Sequence, residues 1–238
     1  MIRYKMERKM NTTEIIKPNV SLVQKKHIYY ELDETGQMKH RPAWLGDSFA
    51  FLYDSIMKKS VFPKKFAGSW DDHHRVLKEL LSSRVNQYIL ELGTGSGIAA
   101  QWLQPSVHYA GVDVSAGLLK RAVTRFSKAG FNDSDFYVAD VNDLPFQNEI
   151  FDVCLCILTM NFFENLKIVV AEIQRVLKSG SLFYGCVPIP DRLERNSKIQ
   201  GTLRSEQQLR DIFEQYHFSF VPLPVQNGAL YYFSGEKI

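Results

Sequence analysis

The stretch Ile89–Gly97, ILELGTGSG, sets one carboxylate, Glu91, beside Thr94 and three glycines at alternate positions, Gly93, Gly95 and Gly97. Glycines this dense let a backbone come very close to a bound group. An acid beside them gives that group a charge preference. Two more acids follow short apolar runs: Asp113 in VHYAGVDV and Asp140 in DFYVAD. A carboxylate at such a strand end can accept from a ribose diol. One at the next strand end can accept from an adenine amino group, while the neighbouring backbone N–H bonds a ring nitrogen.

Two ligand chemistries need glycines in this place. Gly95-x-Gly97-x-x-Ala100 fits the dinucleotide fingerprint, with Asp113 as its ribose acid. Glu91 argues against a dinucleotide, because a pyrophosphate on this loop would sit near a like charge in a partly dry site. A short-chain dehydrogenase also needs a Tyr followed four residues later by Lys, and none of the 11 tyrosines has one. S-adenosylmethionine brings an ammonium, a sulfonium and a ribose but no phosphate, so it suits Glu91 and Asp113 together. A plain strand-to-helix turn, whose glycines only let a helix pack on a strand, needs neither acid.

The elements that must hold these residues alternate. YILEL is a strand, SGIAAQWL a helix, VHYAGVDV a strand, and SAGLLKRAVTRF a helix with Ser115 as its N-cap. DFYVAD and FDVCLCIL are strands, the second apolar enough to be buried on both faces. ENLKIVVAEIQRVLKSG has Leu166, Val169, Val170, Ile173 and Leu177 at helical spacing, with Gly180 just beyond, and SLFYGCVPI is again a strand. This alternation predicts an α/β fold with a doubly wound, mostly parallel sheet, whose ligand sits beyond the C-terminal strand ends near the first strand. The tail departs from it. After the helix SEQQLRDIFEQY, the runs FSFVPLPV and ALYYFSG are joined by Gln226-Asn227-Gly228, a hairpin signal. Upstream, SWDDHHRVLKELL reads as a helix, and residues 1–66 are irregular, lysine-rich and dotted with aromatics. We expect two parts: an N-terminal extension or lid over 1–66, and a domain over 67–238.

With these marks in place, the chain resembles the class I S-adenosylmethionine-dependent methyltransferases. It is closest in style to the broad group (methyltransferase type 11) that contains the ubiquinone- and menaquinone-biosynthesis enzymes. The likeness runs from about Tyr53 to Ile238 and rests on ELGTGSG, GVDVS, ADVNDLPF with FDVCLCIL, and RVLKSGSLFYG. It implies a seven-stranded, Rossmann-like sheet whose last strand is antiparallel, and S-adenosylmethionine as cofactor. By position, it implies that Gly93, Thr94, Gly95 and Gly97 line the methionine part and that Glu91 favours its ammonium. Asp113 would hold the ribose, Val114 would pack on adenine, Asp140 and Val141 would bond the adenine edge, and Ile157 and Leu158 would wall the methyl donor. Where the group often has a His, at the end of the fourth strand, this chain has Thr159-Met160-Asn161-Phe162.

Methyl transfer from a sulfonium needs a base only if the acceptor must first lose a proton. The candidates are His73 and His74, whose helix feeds toward the first strand, then Tyr53, His27 and His40; for each histidine a solvated surface imidazole is the alternative. Tyr29, Tyr30, Tyr53 and Trp70 could face a sulfonium through their rings. A small planar or apolar acceptor is expected, with tRNA or protein as the rival partner and a non-catalytic cofactor-binding subunit as the rival class. The net charge of +3 does not argue for nucleic acid. Three cysteines form no disulfide framework and no metal set, and read as buried reduced thiols in a reducing cytosol. No stretch reads as a signal peptide or membrane span.

Overall fold

The computed structural model describes residues 12–39, 53–194 and 197–238. Among the described residues, nine strands form one sheet: β1 (Leu22–Lys25), β2 (Ile28–Glu31), β3 (Tyr88–Leu92), β4 (His108–Asp113), β5 (Ser134–Val138), β6 (Phe151–Ile157), β7 (Leu177–Pro188), β8 (Val221–Pro222) and β9 (Leu230–Glu236). Their spatial order is β1-β2-β5-β4-β3-β6-β7-β9-β8. From β2 to β7 every neighbouring pair is parallel, and β9 lies antiparallel between β7 and β8. The expected seven strands are therefore present as β3 to β9, with the antiparallel pair at the end.

The other two strands correct the reading of residues 1–66 as irregular. β2 pairs in parallel with β5, Ile28 against Phe136 and Tyr30 against Val138, and Ile28 is fully buried. β1 and β2 turn back on each other through Lys26 and His27, which both have positive φ (51° and 64°), as a tight two-residue hairpin requires. Two four-residue strands without an Asn-Gly turn leave almost no periodic signal, which is why the pattern was invisible.

The described residues also form seven α-helices: α1 (Thr12–Ile15), α2 (Tyr53–Ile56), α3 (Phe62–Lys65), α4 (Trp70–Leu81), α5 (Ala116–Lys128), α6 (Leu166–Val176) and α7 (Glu206–Gln215). A π turn, Met57–Val61, joins α2 to α3. β6 shows why the sheet is buried on both faces. Its Val153 and Leu155 pack with α4 and α5, while Cys154 and Cys156 pack on the other face with α6 and α7. All three cysteines are buried and free. Side-chain caps start α4, α5 and α7: Ser69 accepts from Asp72 N, Ser115 from Leu118 N, and Ser205 with Gln208 forms a capping box.

One expected helix is absent. After β3 the chain makes only one 3₁₀ turn, Ile98–Gln101. Gly97 stands before it in the left-handed region, φ 76°, so the helix cannot begin earlier. Pro105 then disfavours the helical conformation at Gln104, leaving too few residues for an α-helix. No helix among the described residues is long and apolar enough to cross a membrane.

Candidate active site

The glycine stretch leaves the C-terminal end of β3 and turns beneath the end of β6. Gly93 has φ 71°, and a Cβ there would lie 2.3 Å from Thr159 Cγ2, so both backbone conformation and contact demand glycine. Gly95 is different. Its φ is 56°, but a Cβ would meet nothing nearer than Gly93 O at 3.9 Å, so this position faces open space. Glu91 lies just before the turn and is 3% exposed. Its Oε2 accepts from the Tyr109 hydroxyl, and it makes no ion pair among the described residues. Burial pushes the Glu91 carboxyl up to about 8; the Tyr109 hydrogen bond opposes this less strongly, and the charge of Asp113 adds to it. A buried acid without a cation is the charge complement of a ligand that brings one.

The neighbouring strand ends supply the other acids. Asp113, closing β4, accepts from Gly95 N through Oδ2 and from Ser115 N through Oδ1, both at 2.8 Å. Val114 beside it is 46% exposed, unusual for a residue at the centre of a fold. Asp140, just beyond β5, accepts from Asn142 N (2.9 Å) and Asn142 Nδ2 (2.8 Å). These residues, with Val141 and Phe162, line an outer cavity of about 460 Å³. A smaller inner cavity of about 50 Å³ continues past Glu91, Thr94 and Ile157 to Trp70 and His73. Gly93, Gly95, Leu158 and Thr159 line both. Leu158 sits at this junction with φ 59°, a strained conformation for a leucine, held by its N–H on Cys186 O at 2.8 Å. Of the predicted cofactor residues, all but Gly97 thus lie on one of these two walls. Gly97 instead packs against α5, where a Cβ would come within 2.7 Å of Ala122.

The candidate bases fare differently. His73 is 2% exposed and lies among Phe62, Trp70 and Trp102, with Nδ1 2.8 Å from the Tyr232 hydroxyl. Burial lowers its pKa to about 3, so it is a neutral imidazole rather than the solvated surface group that was the alternative. His74 is half-buried and its Nδ1 accepts from Trp102 Nε1 at 3.1 Å. His27 precedes β2, at the sheet end opposite the cavities. Tyr29 stacks on Tyr137 (5.0 Å between centroids) rather than facing the site. Tyr30 is half-buried on β2, outside both cavity walls, and of the three ring candidates with described side chains only Trp70 lines one. His40 and the side chain of Tyr53 lie outside the described residues.

Sequence reasoning missed two features. Tyr109 is one: Glu91 pairs with Gly111, and Tyr109 lies two residues earlier on the same face, a diagonal that strand alternation makes legible once the register is known. Asp54 is the other. It accepts from Ser96 Oγ at 2.5 Å, pairs with Arg125 and has Arg121 at 3.7 Å, tying α2 to the glycine loop and to α5. Burial would raise Asp54, but the hydrogen bonds from Arg125 and Ser96 and the arginine charges outweigh it and hold the carboxyl below its ordinary value. No local pattern marks a carboxylate for a partner 71 residues away.

Residues 90–185 match the family described as "Methyltransferase domain". The chain is 32% identical over 108 residues to the bifunctional biotin-biosynthesis protein BioHC of Teredinibacter turnerae, covering 42% of this chain and 19% of that one. It is 30% identical over 159 residues to "Sterol methyltransferase-like 1" of Botryococcus braunii, covering 64% and 41%. The match thus spans less than half the length of either relative. Among solved structures, the S-adenosylmethionine-dependent methyltransferase of Aquifex aeolicus superposes with a TM-score of 0.62 at 17% identity, over 81% of this chain and 98% of that one, and shares the fold.

Proposed function

We infer that this chain, which carries a class I methyltransferase domain, transfers a methyl group from S-adenosylmethionine to a small planar or apolar molecule. The observation that carries this reading is the joined cavity pair, with a buried acid that has no cation partner among the described residues, Glu91, at the inner end and Asp113 and Asp140 at the outer. This set fits the cofactor from end to end. Glu91 balances its ammonium, Asp113 accepts from the ribose hydroxyls, Val114 packs on adenine, and Asp140 and Val141 bond the adenine edge.

When bound, S-adenosylmethionine supplies an electrophilic methyl group. The chain's part is to position and to exclude water, which an in-line displacement rewards. Leu158 and Thr159, at the junction of the cavities, wall the reacting centre. The helical cover from α2 to α3, held by Asp54, closes the inner cavity with Met57, and we assign residues 1–66 a lid role here despite the two strands they add to the sheet. His73 takes no proton, being neutral and bonded to Tyr232.

The exposed lysines of this cover, Lys58, Lys59, Lys64 and Lys65, favour a second acceptor class, tRNA or protein. The free buried thiols suit a reducing cytosol. Calorimetry with S-adenosylmethionine, S-adenosylhomocysteine and NAD tests the cofactor; tight NAD binding without S-adenosylhomocysteine binding overturns it. Label transfer from methyl-labelled cofactor to small-molecule, tRNA and protein panels tests the acceptor. Cofactor retention without turnover on any of them means a non-catalytic subunit.

A further inference from the structure

The inner cavity ends on His73, and a chain of hydrogen bonds reaching from the main chain decides which proton that ring carries. Asn227 Oδ1 accepts from Ser69 N at 2.6 Å, and its Nδ2 donates to Ser69 O at 2.9 Å. A backbone N–H and a backbone carbonyl admit only one orientation of this amide. Nδ2 therefore points its second hydrogen at the Tyr232 hydroxyl, 3.2 Å away. With an N–H already directed at its oxygen, Tyr232 gives its own proton to the better of its remaining partners. His73 Nδ1, at 2.8 Å, is a stronger acceptor than the neighbouring Cys186 thiol. His73 is then left with its proton on Nε2.

We propose that Asn227 and Tyr232 lock His73 as a neutral Nε2–H donor that binds the carboxylate of an α-amino-acid head group in the inner cavity. The proposal rests on the cofactor reading above and adds a residue to it. The cavity offers the two halves that a zwitterionic head group needs: the acid Glu91 for its ammonium, and a donor for its carboxylate. Two indoles also line that wall, Trp70 and Trp102, and Trp102 Nε1 is already committed to His74 Nδ1 at 3.1 Å. Burial keeps His73 neutral, with a pKa lowered to about 3, so it stays a donor of fixed polarity across the working pH range. A donor at the inner wall of this cavity reads the head group without titrating.

The test compares two nucleosides: S-adenosylhomocysteine, which has the amino-acid head, and 5′-methylthioadenosine, which lacks it. His73→Phe should weaken S-adenosylhomocysteine about ten- to a hundredfold, as losing a hydrogen bond to a charged group does, and leave methylthioadenosine within about twofold. Tyr232→Phe, which removes only the lock, should weaken the first ligand about three- to tenfold and spare the second. His73→Gln, which keeps a donor, should recover part of the His73→Phe loss. Long-range ¹⁵N correlation spectra of the unsubstituted protein should show His73 as the Nε2–H tautomer, and Tyr232→Phe should show a mixture. An Nδ1–H tautomer in the unsubstituted protein, or equal weakening of both nucleosides, overturns the proposal whether or not the variants fold well. Failure of the unsubstituted protein to bind either nucleoside sinks the cofactor reading instead, so the two failures are distinct.

Discussion

Gly93 and Thr159 touch so closely that a Cβ on the glycine would lie 2.3 Å from Thr159 Cγ2 and 2.4 Å from Oγ1. The glycine loop and the end of β6 are thus one wall, shared by both cavities. Gly93→Ala should cost about 1–2 kcal/mol for its left-handed backbone and about 1–3 kcal/mol for overpacking. Thr159→Ala in the same chain should return only part of the overpacking cost, because Thr159 Cβ itself would lie 2.7 Å from the new Cβ. Urea unfolding of the two single variants and the double variant measures the coupling; strictly additive effects would mean that the loop moves away instead.

Asp113 binds the protein as well as any ribose, since each oxygen already accepts a backbone N–H. Asp113→Ala should weaken S-adenosylhomocysteine about ten- to a hundredfold, the loss of charge-assisted bonds partly replaced by water. It should also lower stability by about 1–3 kcal/mol, because Gly95 and Ser115 lose their acceptor. Asp113→Asn should fall between. Unchanged affinity for S-adenosylhomocysteine would move the ribose elsewhere and undo the assignment of the outer cavity.

Glu91 makes binding pH-dependent. Its carboxyl is raised from 4.5 to about 8 in the fold, so the folded chain holds a proton that the unfolded chain has released. Stability from this group is complete below about pH 4.5 and is lost as pH rises toward 8. An arriving ammonium favours the ionised acid, so binding at pH 7 should expel close to one proton and tighten with rising pH until about 8. Calorimetry in buffers of different ionisation enthalpy reads that proton directly. Glu91→Gln should abolish the release and stabilise the ligand-free protein at pH 8. A buffer-independent enthalpy would show that Glu91 is already ionised.

How much of this was legible in the sequence depends on the distance over which a residue finds its partner. YILEL is β3 residue for residue, and Ser115 caps α5 as expected, because both signals are local. Glu91, Gly93, Gly95, Asp113 and Asp140 came from types and spacing at strand ends, and the sheet brings them together around the cavities. The Tyr109 bond to Glu91 needed a strand register that no single strand contains. The Asp54 clamp and the Ser69–Asn227–Tyr232–His73 relay join residues 71 and 158 positions apart, and only the folded chain puts them in contact. The 3₁₀ turn after β3 failed for another reason: Gly97 and Pro105 act as stops whose combined effect depends on the few residues left between them.

The β1–β2 hairpin has a consequence for colloidal behaviour. Without it, β5 would be the open border of the sheet, a row of unpaired amides carrying Phe136 and Tyr137. Such a border is a template for strand addition from another copy of the chain. The hairpin occupies it, and the strand left outermost, β1, is only four residues long and ends in the exposed Gln24 and Lys25. A chain shortened to begin at residue 40 would keep every acid and glycine of the site, yet expose that border. Light scattering should find it self-associating at concentrations where the full chain stays dispersed, and a lysine placed on β5 at Tyr137 should not substitute for the missing strands, because Tyr137 is core.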